Sequence, residues 1–175
     1  MKINVFPIIK DHLKSLKDER SGKLSIHDII IFYLLPLVAG FLCFYFKAEF
    51  DRDSYNVSIT FFGIFIALLL NIQVAIFSIY LRKWKSPETD IDKDLQNYVL
   101  RIRRTLLNEL NNNISYLVLV CCISLIFSLI GYILKIKGAF PASISVVLYT
   151  HFLLTMLMIV KRAHALFRKE YAETD

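Results

Sequence analysis

The sequence predicts an all-α membrane protein with four transmembrane helices and a protruding cytoplasmic helix continuous with the third span. Three observations predict it. Residues 29–46, 57–81, 114–134 and 142–160 are apolar and contain no Asp, Glu, Lys or Arg. Each is close to the roughly 20 residues that a helix needs to cross about 30 Å of hydrocarbon. A mean hydropathy of +0.52 is too high for an ordinary soluble domain of this length. Lysine and arginine are also unevenly placed, with seventeen in 1–28, 82–113 and 161–175 and four in 47–56 and 135–141. The positive-inside rule then puts both termini and the central loop in the cytoplasm. The chain reads as one membrane domain, 1–175.

Residues 6–17 predict a short amphipathic helix. Phe6, Ile9, Leu13 and Leu16 recur at helical spacing, Lys10, Lys14 and Lys17 lie elsewhere on the wheel, and Pro7 suits the first turn. Such a helix lies in the headgroup layer or packs on another cytoplasmic helix. Ser21-Gly22 breaks it. Ser25 then caps the first span with Asp28 three residues on, and Pro36 predicts a kink within it. Phe44, Tyr45 and Phe46 are interface anchors at its outer end.

The second span carries a packing code. Gly63, Ala67, Asn71 and Ala75 follow at steps of four, which lines small and polar groups along one helix face. This face predicts the closest helix contact, within the bundle or between copies. Gln73 points to nearly the opposite side, so this helix is expected to be surrounded by protein. Ser86-Pro87, or Thr89 with Asp92, starts the next helix. Leu95, Val99, Ile102 and Leu106 keep its period, and no Gly or Pro intervenes before Gly131. One helix therefore runs from about Asp92 to Leu134, its first part rising about 30 Å into the cytoplasm. Lys135 to Gly138 make a tight outer turn. Pro141 opens a fourth helix that continues past the membrane to Phe167.

Asn71, Gln73 and His151 are the polar groups nearest the membrane centre. Intramembrane polar groups are costly, so they either form a proton relay or constriction or fix assembly by interhelical hydrogen bonds. The absence of any charged residue in the spans favours the second. Arg101, Arg103 and Arg104 form the densest basic cluster, with no acidic residue at i±3 or i±4. Arg101 precedes the third apolar stretch by about 20 Å of helical rise, so lipid headgroups are a poor partner for it. The cluster is expected to face a cytosolic protein. Lys83, Lys85, Lys161, Arg162 and Lys169 sit close to the bilayer, with Trp84 as an anchor, and lipid is their default contact.

Several function classes are excluded. The sequence offers no catalytic set, phosphate loop or paired intramembrane aspartates, so no enzyme is expected. Cys43, Cys121 and Cys122 lie inside spans, without metal-ligand spacing. No cofactor or metal is expected. The first 28 residues are charged and do not form a secretory signal. The net charge of +6 follows from topology, so direct nucleic-acid binding is not expected.

Two runs carry a resemblance. Leu107-Asn108-Glu109-Leu110-Asn111-Asn112-Asn113-Ile114-Ser115-Tyr116 enters the third span, and the run from Phe152 to Leu166 closes the fourth. With the overall layout, they resemble small four-span membrane proteins of bacterial anti-phage defence operons, most of all the membrane subunits of Kiwa systems. The resemblance implies a homo-oligomer, a tetramer, in the bacterial inner membrane. It further implies detection of infection at the envelope and a cytosolic DNA-binding partner. Function is therefore expected to be that of a non-enzymatic sensor and scaffold. The alternative is an ion channel or membrane-permeabilising effector.

Overall fold

The computed structural model describes residues 4–16, 26–81 and 90–172. The expected caps Ser25, Ser86 and Thr89, the break at Ser21-Gly22, and Lys17, Lys83, Trp84 and Lys85 lie outside the described residues. So do the side chains of Leu95, Val99 and Lys169. All regular structure among the described residues is helical. It comprises α1 (Phe6–Ser15), α2 (Ile26–Ile29), a π-helical segment (Ile30–Leu34), α3 (Leu35–Tyr45), α4 (Arg52–Leu81), α5 (Asp90–Leu134) and α6 (Ala139–Ala172). The last three are long and apolar enough to cross a membrane, and the first apolar stretch forms a shorter helix.

Local chemistry sets the boundaries. The effect of Pro36 takes the form of the π-helical segment just before it. A proline has no N–H for the carbonyl four residues back, here Phe32, and the ladder rearranges there. The helix of the second span starts earlier than its apolar stretch. Asp51 caps α4, its carboxylate accepting from the Ser54 backbone N–H at 2.9 Å and the Ser54 hydroxyl at 2.6 Å. Those bonds hold the Asp51 carboxyl below the usual carboxylate range. As expected, α5 is a single helix, 45 residues long. Lys47 and Lys135, at φ 52° and 54°, turn the chain out of α3 and α5, and Gly138 at φ +118° follows in the second turn.

The core joins α4, α5 and α6. Phe62 and Leu69 of α4, Ile114 and Leu117 of α5, and Phe152 and Ile159 of α6 form one buried cluster. Phe62 stacks on Tyr149 at 4.9 Å, and Phe65 meets Phe152 edge-on at 4.9 Å. No α3 residue belongs to that cluster. α3 leans on α6 instead, where a Cβ on Gly40 would collide with Val147 and the Ser143 hydroxyl donates to the Gly40 carbonyl at 2.7 Å. Gly131 of α5 likewise lies against the Tyr55 ring of α4.

These two glycines make close helix contacts within the chain, and the small face of the second span makes none as close, which leaves a contact between copies. A Cβ on Gly63 would meet only Leu125, at 4.0 Å, and Ala67, Asn71 and Ala75 are exposed. The small face points away from the core.

α1 packs on α5. Its buried edge is polar, formed by His12 and Ser15 with Leu16, whereas Phe6 is 69% exposed and Leu13 is also exposed. Of the apolar stripe, Phe6 and Leu13 lie outward and Leu16 inward, and α5 offers hydrogen-bonding groups to the polar edge beside it.

Candidate functional site

Antiparallel pairs between helices set common levels along the molecule. Gln73 meets Ser115, Ile79 meets Arg103, and Tyr116 meets His151. Residues 111–116 of α5 thereby lie level with Gln73 of α4, His151 of α6 and Phe32 of the π-helical segment. This level marks the basic end of the apolar part of α5. Gln73 and His151, which counting along the chain places near the middle of their apolar stretches, both meet this level through α5. They belong to one polar layer with two sides.

The first side starts at Pro36. The Phe32 carbonyl that it deprives of a donor accepts from Nδ1 of His151 at 3.0 Å. A carbonyl only accepts, so Nδ1 carries the proton and Nε2 accepts from the Tyr116 hydroxyl at 2.8 Å. The Tyr116 ring stacks on His12, 3.7 Å between centroids and 5° from parallel. Nδ1 of His12 lies 2.8 Å from Oδ1 of Asn113, and the Ser15 hydroxyl reaches the same oxygen at 2.8 Å. Nε2 of His12 and Nδ2 of Asn113 are buried without a hydrogen-bond partner among the described residues. Arg162 of α6 donates to the Ser15 carbonyl at the end of α1 and pairs with Glu109 of α5 at 3.4 Å. A cation there answers the negative end of the α1 dipole.

His12 is fully buried. Burial pushes its imidazole from 6.5 down to about 4, against the opposing effect of its bond to Asn113, and the nearby His151 and Arg162 lower it further. His12 is thus neutral at pH 7.

The second side lies between α4 and α5. Nε2 of Gln73 donates to the Ser115 hydroxyl at 2.7 Å and to Oδ1 of Asn111 at 3.4 Å. Next to this pair is a groove of about 490 Å³, whose polar lining is Gln73, Tyr80, Arg104, Thr105, Asn108 and Asn111. Arg103 points the other way, 7% exposed, and donates to the Ile79 carbonyl at 3.1 Å.

The predicted residues therefore separate. Gln73 and His151 join the layer through interhelical bonds. Asn71 lies outside it, exposed on the far face of α4 with Ala67 and Ala75, and Gly63 is half-buried. Arg101 and Arg104 are exposed, but Arg103 is buried against α4, because its stem lies on the α5 face that packs there. Arg162 holds α1.

Sequence reasoning missed His12, Ser15, Asn113 and Tyr116. A signal was present. His12, Ser15 and Leu16 share one helix edge, as do Asn113 and Tyr116, and two facing edges of that kind suit each other.

The layer ties five helical elements together by hydrogen bonds and ring stacking. Among the described residues no group of three His, Cys, Asp or Glu side chains is placed to hold a metal ion. Comparison with protein-family models, curated proteins and solved structures finds no match for this chain.

Proposed function

We propose that this chain is a four-span inner-membrane sensor and scaffold that holds a cytosolic protein and carries out no chemistry of its own. The observation that supports this best is α5. It is unbroken over 45 residues, about 67 Å at 1.5 Å per residue, against about 30 Å of hydrocarbon. Its basic half is a rigid post on a membrane helix, and a post without a hinge passes on any tilt of its base. Arg101, exposed on that post, is the docking residue for acidic groups of the partner, in a cytoplasm that also holds both termini.

The sensing element is the first span. It is held to α6 by Gly40 and His151 and takes no part in the common core, so bilayer strain acts on it most directly. The chain from Phe32 through His151 and Tyr116 leads from that span to His12 and α1. The face formed by the half-buried Gly63 and the exposed Ala67, Asn71 and Ala75 suits a second copy, because small residues let backbones approach and Asn71 can bond across. The resemblance of layout supplies the setting, a tetramer in anti-phage defence. A channel has less support, since Gln73 and His151 are engaged in interhelical bonds.

The test is co-expression with the product of the neighbouring gene, followed by solubilisation and pull-down. Wild type should retain the partner, and Arg101→Glu should lose it by like-charge repulsion while keeping oligomer size. Cysteines added near each terminus should label only from the cytoplasmic side. Full partner retention by Arg101→Glu moves the docking surface elsewhere, and labelling of the termini from outside overturns the topology.

A further inference from the structure

We propose that the groove between α4 and α5 binds the phosphate group of an anionic glycerophospholipid of the inner leaflet. The inference rests on the membrane placement above. Depth comes first. Arg103 bonds the Ile79 carbonyl, inside the apolar stretch 57–81 of α4. Its neighbour Arg104 therefore sits beside the last apolar turn of α4. Distance counted along α5 alone puts it well out in the cytoplasm, but pairing with α4 returns it to headgroup level.

The lining has the right chemistry. A phosphate oxyanion requires a cation and neutral donors converging on one spot, and the guanidinium fork matches its geometry. Arg104, Asn108 and Asn111 follow at i, i+4 and i+7 on one face of α5, and Gln73 faces them from α4. Among the described residues that line the groove, none is acidic. Tyr80 and Phe77 form an aromatic wall of the kind found at membrane interfaces. The floor is apolar, made by the buried Ile76 and Leu107. Below it, the exposed Leu70 and Phe77 offer α4 surface to acyl chains. Basic pockets between transmembrane helices on the cytoplasmic side commonly take anionic headgroups. Free phosphate shares the headgroup chemistry, but this apolar continuation favours a lipid. The groove also lies opposite Asn71 on α4, so a second copy packed on the small face leaves it open.

The test uses the full chain, delipidated in detergent and then given phosphatidylglycerol, phosphatidylcholine or inorganic phosphate. Lipid retention is read by native mass spectrometry and stability by thermal unfolding. Phosphatidylglycerol should be retained and raise the unfolding temperature, whereas phosphatidylcholine and millimolar phosphate should do neither. Arg104→Gln should cut retention at least about fivefold, as expected when a charge-assisted contact worth about 1 kcal/mol or more is removed. Asn108→Leu, which fills the groove without removing charge, should do the same. Arg101→Gln, outside the lining, should retain lipid as wild type does. Equal retention by wild type, Arg104→Gln and Asn108→Leu overturns the site, and so does equal binding of the two lipids. Stabilisation by inorganic phosphate alone overturns the choice of a lipid. Failure of wild type to insert into vesicles overturns the membrane placement, whereas insertion with no effect of Arg104→Gln removes only this site.

Discussion

Acid should release α1 from the bundle, through His12. With α1 docked, the His12 imidazole titrates near 4, and with α1 free in water it titrates near 6.5. Above about pH 7.5 both states are neutral and docking has its full strength. As pH falls through 6.5 the free state takes up a proton that the docked state refuses. Docking therefore weakens until pH reaches about 4, below which both states are charged and the loss stops growing. Linkage puts the loss at about 2 kcal/mol at pH 5, about thirtyfold in the docking equilibrium. The groups facing His12 are Asn113 and Tyr116 of α5 and His151 and Arg162 of α6, with Glu109 paired to that arginine. Other ionisable groups lie nearby, so a control is needed. His12→Gln keeps a hydrogen-bonding side chain and cannot titrate. Hydrogen exchange of the α1 amides, corrected for the intrinsic effect of pH, should show protection falling between pH 7.5 and 5 in wild type. It should stay nearly flat in His12→Gln. Flat protection in wild type, or an equal fall in both proteins, would refute the assignment of the loss to this imidazole.

Other perturbations test the layer and the packing. His151→Ala should cost roughly 1–3 kcal/mol, because it strands the Phe32 carbonyl and takes one of the Tyr116 hydroxyl's two partners, the other being Tyr33. Pro36→Ala restores an N–H for Phe32, so the double variant should lose about 1 kcal/mol less than the sum of the singles, and strict additivity in unfolding would exclude the link. Gly40→Leu should separate α3 from α6 and lower thermal stability in detergent, whereas Ala67→Leu should spare the chain's own fold and change only oligomer size; equal unfolding temperatures for the two would contradict the packing described. Reconstituted protein should pass no ions at rest, and single-channel currents altered by His151→Ala or Asn71→Ala would favour a channel over a scaffold.

The helices were legible in the sequence because apolar length and helix-breaking residues are local signals. Uninterrupted period from 92 to 134 gave α5, and Lys135 to Gly138 gave the turn after it. Pro36 was read as a kink, but its consequence required knowing which side chain faces Phe32. The polar layer was not legible, because it depends on the axial register between helices. Distance from the nearest apolar stretch, counted along α5, did not reveal that Arg103 is buried, since its surroundings are set by α4. The small face of α4 shows a different limit. Its spacing says that a close contact is possible and does not say with what, and within this chain Gly40 and Gly131 fill that role.

The absence of α3 from the common core bears on the order of assembly. α4, α5 and α6 share one buried cluster, which does not require the first span. In the four-span topology proposed above, the first span is synthesised before them and waits in the lipid until α6 presents Ser143, Val147 and His151. Its docking is then the last step of folding and its departure the first step of unfolding, a sub-global opening below the stability of the whole. Pulled from both ends in a bilayer, the protein should yield α3 at the lowest force, with the other three helices leaving together afterwards. Departure of all four in one event would show that α3 belongs to the same cooperative unit.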